Sequence, residues 1–159
     1  MKKLSFILAI LFCSLSAVAQ NAGTDRNSPG QANLQQAEQF LQENKNAPGV
    51  QVTSTGLQYK VIQSGKGNSP VATSKVVCHY EGTLLNGNKF DSSYDRNEPA
   101  EFPVNGVIMG WQEILPLMKE GDIFEVWIHP NLAYGERGAG GLIGPNELLK
   151  FKIELITVK

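Results

Sequence analysis

The chain has 159 residues, 42% of them hydrophobic, with 14 basic and 15 acidic side chains and a formal net charge of −1. That length holds one domain with appendages, and the apolar fraction is enough for a packed core, which excludes disorder throughout. A near-neutral balance without a basic patch argues against a nucleic-acid partner. His79 and His129 are too far apart in sequence for metal-ligand spacing, so no metal is expected.

Residues 1–19 read as a signal peptide. Lys2 and Lys3 precede a mostly apolar run from Leu4 to Val18, and Ala17-Val18-Ala19 forms an A-x-A cleavage pattern before Gln20. The run is too short for a spanning helix, and Cys13 follows bulky Phe12, which argues against a lipid anchor. The expected address is therefore export, to the periplasm or the medium, with no stable membrane anchor after cleavage. Cleavage leaves Cys78 as the only cysteine, so no internal disulfide can form.

Residues 20–31 are rich in Asn, Gly, Ser and Pro and read as a flexible tether. Residues 32–55 form a helical extension and linker. Leu34, Ala37, Phe40 and Leu41 mark one face of a helix over 32–46, closed by Ala47-Pro48-Gly49. Such a helix docks on the main domain or pairs weakly with a copy of itself, so the chain is expected to be a monomer or a weak dimer.

The main domain is expected over 56–159. Residues 56–62 alternate as a half-buried strand. A longer strand over 75–85 reaches Asn86-Gly87, a hairpin signal, and 89–92 starts the return. Residues 101–104 are a short extended piece. Over 107–121, Ile108, Trp111, Leu115 and Met118 recur at helical spacing, widened by Val107 and Ile114, which predicts one helix of roughly three turns. Gly110 beside Trp111 leaves room for a close neighbour. Residues 123–129 form a strand with Phe124, Val126 and Ile128 on one side and Ile123, Glu125 and Trp127 on the other. A long loop over 130–145 carries five glycines, and 148–158 closes the sheet. The fold class is α+β: an antiparallel sheet of about five strands curled around one short helix, with an N-terminal helical extension.

The chemistry on offer is narrow. There is no nucleophile elbow, no phosphate-binding glycine pattern and no cluster of carboxylates. Cys78 and Ser92 lack a recognisable base partner, and Cys78 reads as a small buried hydrophobe on a strand. Tyr80, Phe90, Phe102, Trp111, Tyr134 and Phe151 instead fit the lining of an apolar pocket with a few orienting hydrogen bonds. Read alone, Trp111 reads first as ordinary core, Tyr80 and Phe151 are equally consistent with plain strand core, and Asp91 with Arg96 is consistent with a structural ion pair, which can hold alongside a ligand role.

The segments HYEGTLLNGNKFDSS (79–93), DRNEPAEF (95–102), VIMGW (107–111), LAYGERG (132–138) and LLKFKIELI (148–156) resemble the FKBP-type peptidyl-prolyl cis-trans isomerases in order and spacing. The upstream helix leading into GLQY (56–59) is similar to the exported bacterial branch that includes macrophage-infectivity-potentiator proteins. The resemblance implies an isomerase that rotates X–Pro bonds in exported polypeptides and assists their folding, without a cofactor. It also implies that macrolide inhibitors bind. A non-catalytic peptide-binding module or holdase chaperone on the same fold is the alternative. By matching position, Trp111 would be the pocket floor, Tyr80, Phe90, Phe102 and Phe151 its walls, and Val107 and Ile108 its rim. The Ile108 N–H and the Tyr134 hydroxyl would hold peptide carbonyls, Asp91 would sit at one side near Arg96, and Ile143 would line the far loop. Ala100, Ala139-Gly140 and Gly144 depart from the family's usual residues and bear on substrate preference and inhibitor affinity.

Overall fold

A computed structural model describes residues 28–159; the expected leader and most of the expected tether lie outside them. Helix α1 (Pro29–Asn44) starts three residues before the sequence reading placed it. Pro29 sits in its first turn, where a missing N–H costs nothing, and the Ser28 hydroxyl accepts from Gln31 N–H as the cap.

Seven strands follow: β1 (Val50–Val52), β2 (Gln58–Gln63), β3 (Lys75–Leu84), β4 (Lys89–Ser92), β5 (Ala100–Pro103), β6 (Ile123–Ile128) and β7 (Leu149–Val158). All pair antiparallel in the order β1-β2-β6-β7-β3-β4, and β5 shares the outer edge of β3 with β4. The extra strand beyond the expected set is β1, three residues whose pattern is too short to read before its pairing with β2 is known. The β3–β4 hairpin turns at Asn86-Gly87, where Gly87 takes φ +85°.

The sheet wraps one apolar core. Val76, Cys78, Tyr80 and Leu84 of β3, Phe124, Val126 and Ile128 of β6, and Leu149, Phe151, Ile153 and Leu155 of β7 all face inward and are buried. The single helix expected over 107–121 is shorter: α2 runs only from Met109 to Ile114, followed by a 3-10 turn at Leu115–Leu117. Pro116 has no N–H to continue the helical ladder, so the coil tightens and ends. The apolar stripe is nevertheless as expected, with Trp111, Ile114, Leu115 and Met118 buried. Val107 and Ile108 are extended and lead into the helix rather than belonging to it.

Helix α1 covers the opposite face of the sheet. Ala37 and Leu41 close over Trp127 and Leu148, with the Phe40 and Trp127 ring centroids 6.4 Å apart. Gln58, buried in β2, donates to the Leu41 carbonyl at 2.7 Å and accepts from the Asn44 amide at 2.9 Å. A helix of this length is marginal alone, so docking is what holds it. Its apolar face is thereby used within the chain, with mainly Gln and Glu turned outward.

Gly110 fixes how closely α2 lies on the sheet. A Cβ there would fall 2.6 Å from Ile128 Cγ2 and 2.8 Å from its Cδ1. The Gly110→Ala substitution gains helix propensity of roughly 1 kcal/mol but forces Ile128 to move, at about 1–3 kcal/mol. We expect a net loss of stability, read as a lower denaturant midpoint; a midpoint equal to or above the parent's would show that the helix can shift freely.

Candidate functional site

The concave side of the sheet and α2 enclose an open hollow of about 650 Å³. Its floor is Trp111, 4% exposed, delivered there by the first turn of α2. Three rings stand nearly perpendicular to the indole: Phe151 at 5.3 Å, Tyr80 at 5.5 Å and Phe102 at 5.6 Å, with interplanar angles of 82°, 88° and 78°. Edge-to-face packing of this kind places the positive edge of one ring on the negative face of the next and holds both rigidly. Phe90 extends the wall, T-shaped to Phe151 at 5.5 Å.

That aromatic arrangement depends on Gly82, which sequence reasoning did not single out. It faces inward on β3, and a Cβ would lie 2.5 Å from the Phe90 ring and 2.9 Å from Phe151. The available signal was a glycine inside an otherwise alternating strand, which marks a close approach. The Trp111 Nε1–H is buried with no hydrogen-bond partner among the described residues.

The rim carries the polar groups. The Ile108 N–H, just before α2, takes part in no hydrogen bond among the described residues. It stands beside Val107, whose carbonyl accepts from the Gln112 side chain at 2.8 Å. Tyr134, 41% exposed, caps a 3-10 turn at Gly135–Arg137, and its hydroxyl has no partner among the described residues. From there the chain arches over the opening. Ala139 and Ile143 exchange two hydrogen bonds of 2.9 and 3.0 Å, and a Cβ at Gly138 (φ +62°) would strike the Ile143 carbonyl. The five-glycine loop therefore contains local structure. It lines the hollow with Ile143 as expected, and also with Ala139, Gly140 and Leu142, while Gly106 contributes from the other side.

At one side Asp91, on β4, faces the opening. The Tyr80 hydroxyl donates to Asp91 Oδ2, and Arg96 donates to Asp91 Oδ1 and, at 3.0 Å, to the Tyr80 oxygen. Partial burial works against the Asp91 carboxylate, but the Tyr80 hydroxyl and the Arg96 guanidinium outweigh it and hold the carboxyl below its ordinary range. Burial first, and then donation to Asp91, pushes the Tyr80 hydroxyl above its own. Arg96 was expected among the residues contacting a ligand, but it does not line the hollow. It is an exposed clamp on Asp91 and Tyr80, so the structural ion pair expected as one reading is present at the edge of the hollow. The other expected site residues, Tyr80, Phe90, Asp91, Phe102, Val107, Ile108, Trp111, Tyr134, Ile143 and Phe151, are brought together around one space.

Cys78 lies fully buried in the core, and burial pushes its thiol up to about 12. Ser92 is also buried, its hydroxyl accepting from Asp95 N–H at 3.3 Å. Neither is placed to act as a nucleophile.

Comparison with known proteins agrees with this architecture. Residues 66–156 match the FKBP-type peptidyl-prolyl cis-trans isomerase family, and residues 13–61 match the domain amino terminal to FKBP-type peptidyl-prolyl isomerase. The chain is 55% identical over 127 residues to peptidyl-prolyl cis-trans isomerase Mip of Coxiella burnetii, covering 80% of this chain and 55% of that one. It is 46% identical over 145 residues to the FKBP-type 22 kDa peptidyl-prolyl cis-trans isomerase of Escherichia coli (strain K12), covering 91% of this chain and 70% of that one. The crystal structure of FkpA from Escherichia coli superposes with a TM-score of 0.79 at 42% identity, covering 82% of this chain and 61% of that one. The chain thus spans little more than half of the Coxiella relative's length and over two thirds of the 22 kDa protein's. With the family match over 66–156 and identity near one half to these relatives, the chain belongs to the FKBP-type peptidyl-prolyl cis-trans isomerase family.

Proposed function

We propose that this chain catalyses cis-trans rotation of X–Pro bonds in polypeptides, with the hollow over Trp111 as its active site. The observation that carries the reading is the perpendicular ring set around a buried indole, open to solvent on one side. Rotation of a peptide bond faces a barrier of about 18–20 kcal/mol because resonance keeps the amide planar. No covalent bond is made or broken, so neither nucleophile nor proton transfer is required. The planar amide is the more dipolar form and is well solvated through its oxygen; the twisted form has lost resonance and carries less charge there. An apolar hollow that strips water from the carbonyl disfavours the planar form relative to the twisted one, which is differential stabilisation.

In this mechanism the prolyl ring sits on Trp111 between Tyr80, Phe102 and Phe151. The Ile108 N–H and the Tyr134 hydroxyl, both without a partner among the described residues, hold flanking carbonyls and keep the peptide in a turn. Asp91, kept ionised, supplies one fixed negative charge at the edge, and Arg96 positions it. Two further readings belong to the proposal. The motif in residues 1–19 supports export, and among the described residues no helix is long and apolar enough to cross a membrane. The hollow's size and lining suit macrolide-type inhibitors as well as proline-containing polypeptides. Burial of the α1 apolar face against Trp127 supports a monomer over pairing through that helix.

The deciding experiment is a protease-coupled assay of a prolyl peptide. We expect clear acceleration over the uncatalysed exchange, which takes roughly 10–100 s. Exchange no faster than in buffer, together with suppression of client aggregation, would select the holdase alternative. Tyr134→Phe keeps the ring and removes one donor; we expect kcat/KM to fall about tenfold, the worth of one net hydrogen bond of ~1.4 kcal/mol. Unchanged activity and inhibitor affinity would remove that hydroxyl from the mechanism. The pH profile offers a third test. The Asp91 carboxyl is lowered, so its favourable pairing is complete above the ordinary aspartate range and lost only as pH falls through the lowered value. The Tyr80 hydroxyl is raised, so it remains protonated at neutral pH. The rate should therefore be flat between about pH 5 and pH 8; a bell-shaped dependence there would indicate acid–base chemistry that the hollow does not contain.

A further inference from the structure

Helix α1 lies on the far side of the sheet from the hollow, yet its first turns grip the base of the loop that covers it. The Asn33 amide donates to the Pro145 carbonyl at 2.9 Å and to Glu147 Oε1 at 3.3 Å. The buried Asn146 amide donates to the Gly30 carbonyl at 3.2 Å. Contact is close enough that a Cβ on Gly30 would stand 3.1 Å from Pro145 Cβ. Asn146 also reaches the other way: held at φ +54°, its N–H donates to the Gly135 carbonyl at 2.8 Å, directly after Tyr134. Residues 135 and 146 thus close the loop into a ring, and α1 holds that ring by two asparagine amides.

We propose that Asn33 and Asn146 are positioning residues for the hollow: they fasten the base of the 134–146 loop to the docked N-terminal helix and so keep Tyr134 and Ile143 over the opening. The physical argument is one of preorganisation. The loop is rich in glycine, and Gly135, Gly138, Gly140 and Gly141 all have positive φ. Such a segment has a large conformational entropy to lose when it orders. Its own bridge, Ala139 to Ile143, ties only the tip. The base is tied to a helix which is itself fixed through Trp127, Leu148 and Gln58. Freed from that support, the loop would be ordered by the bound peptide instead, and binding would bear the cost. The effect therefore falls on KM more than on kcat. The inference rests on the isomerase reading for its kinetic consequence, but the fastening itself has a separate readout.

The test uses the full chain and two variants. Asn33→Ala removes the first amide. Asn146→Gly removes the second while tolerating the positive φ. Leu155→Val, at the far end of β7, serves as a control that lowers core stability without touching the loop. Hydrogen exchange is followed at the Ala139 and Ile143 amides, and isomerase kinetics on a prolyl peptide are measured alongside. We expect both asparagine variants to speed exchange at the two amides and to raise KM by about fivefold, within the range of coupling through a packed element. Little change in kcat is expected, and the control should lower the melting temperature while leaving both readouts near the parent's. Unchanged exchange in both variants, or equal loosening in the control, overturns the proposal. So does faster exchange with no rise in KM in an active enzyme. A parent protein that binds but does not isomerise defeats the reading of the hollow alone; exchange at the loop then still decides whether the helix fastens it.

Discussion

The structure turns on the perpendicular packing of Trp111 against three other rings. Each contact depends on a different strand: Tyr80 comes from β3, Phe102 from β5 and Phe151 from β7. The indole therefore fixes the helix against the sheet and shapes the hollow at the same time. A face-to-face stack would fill the space, whereas edges meeting faces leave it open above the indole. Gly110 below and Gly82 beside make this possible by omission, one admitting Ile128 and the other admitting the rings of Phe90 and Phe151. Stability and site are thus the same set of contacts, and substitution of Trp111 itself would disturb both together.

Charge is used sparingly around this apolar centre. One carboxylate faces the opening, and it is held by the Tyr80 phenol and the Arg96 guanidinium. Arg96 is exposed, so its pairing with Asp91 is screened by solvent and is worth little as a source of stability. Its geometric consequence is larger: it orients the carboxylate and ties Asp91 to a wall residue. Elsewhere carboxylates serve as backbone clasps. Glu120 accepts from Val158 and Asn68 N–H, and buried Asp122 accepts from Gly65 and Lys119 N–H, closing the loop before β3 onto the turn before β6.

The two faces of the sheet divide the labour. The concave face carries the core and the hollow, and the convex face receives α1 through Trp127. A tryptophan alternating out of the core on β6 would be an exposed apolar liability without that helix. The same docking brings the start of α1 to the segment after the pocket loop, so an element remote in sequence and on the other side of the sheet has a route to the site.

The sequence by itself determined the strands with clear alternation, the inward faces of β3, β6 and β7, the apolar face of α1 and the aromatic character of the site. These follow from local periodicity and side-chain chemistry, which are properties of neighbours along the chain. It also placed Cys78 in the core, where its neighbours Val76 and Tyr80 put it. Only the tertiary structure decided the rest. It shortened the central helix at Pro116, paired the three residues of β1 with β2, and clamped Arg96 onto both Asp91 and Tyr80. It revealed Gly82 as the space for two rings and joined Asn33 to Pro145 across 112 positions. Those features arise from contacts between residues far apart in the chain, where the spacing along the sequence carries no record of distance in space.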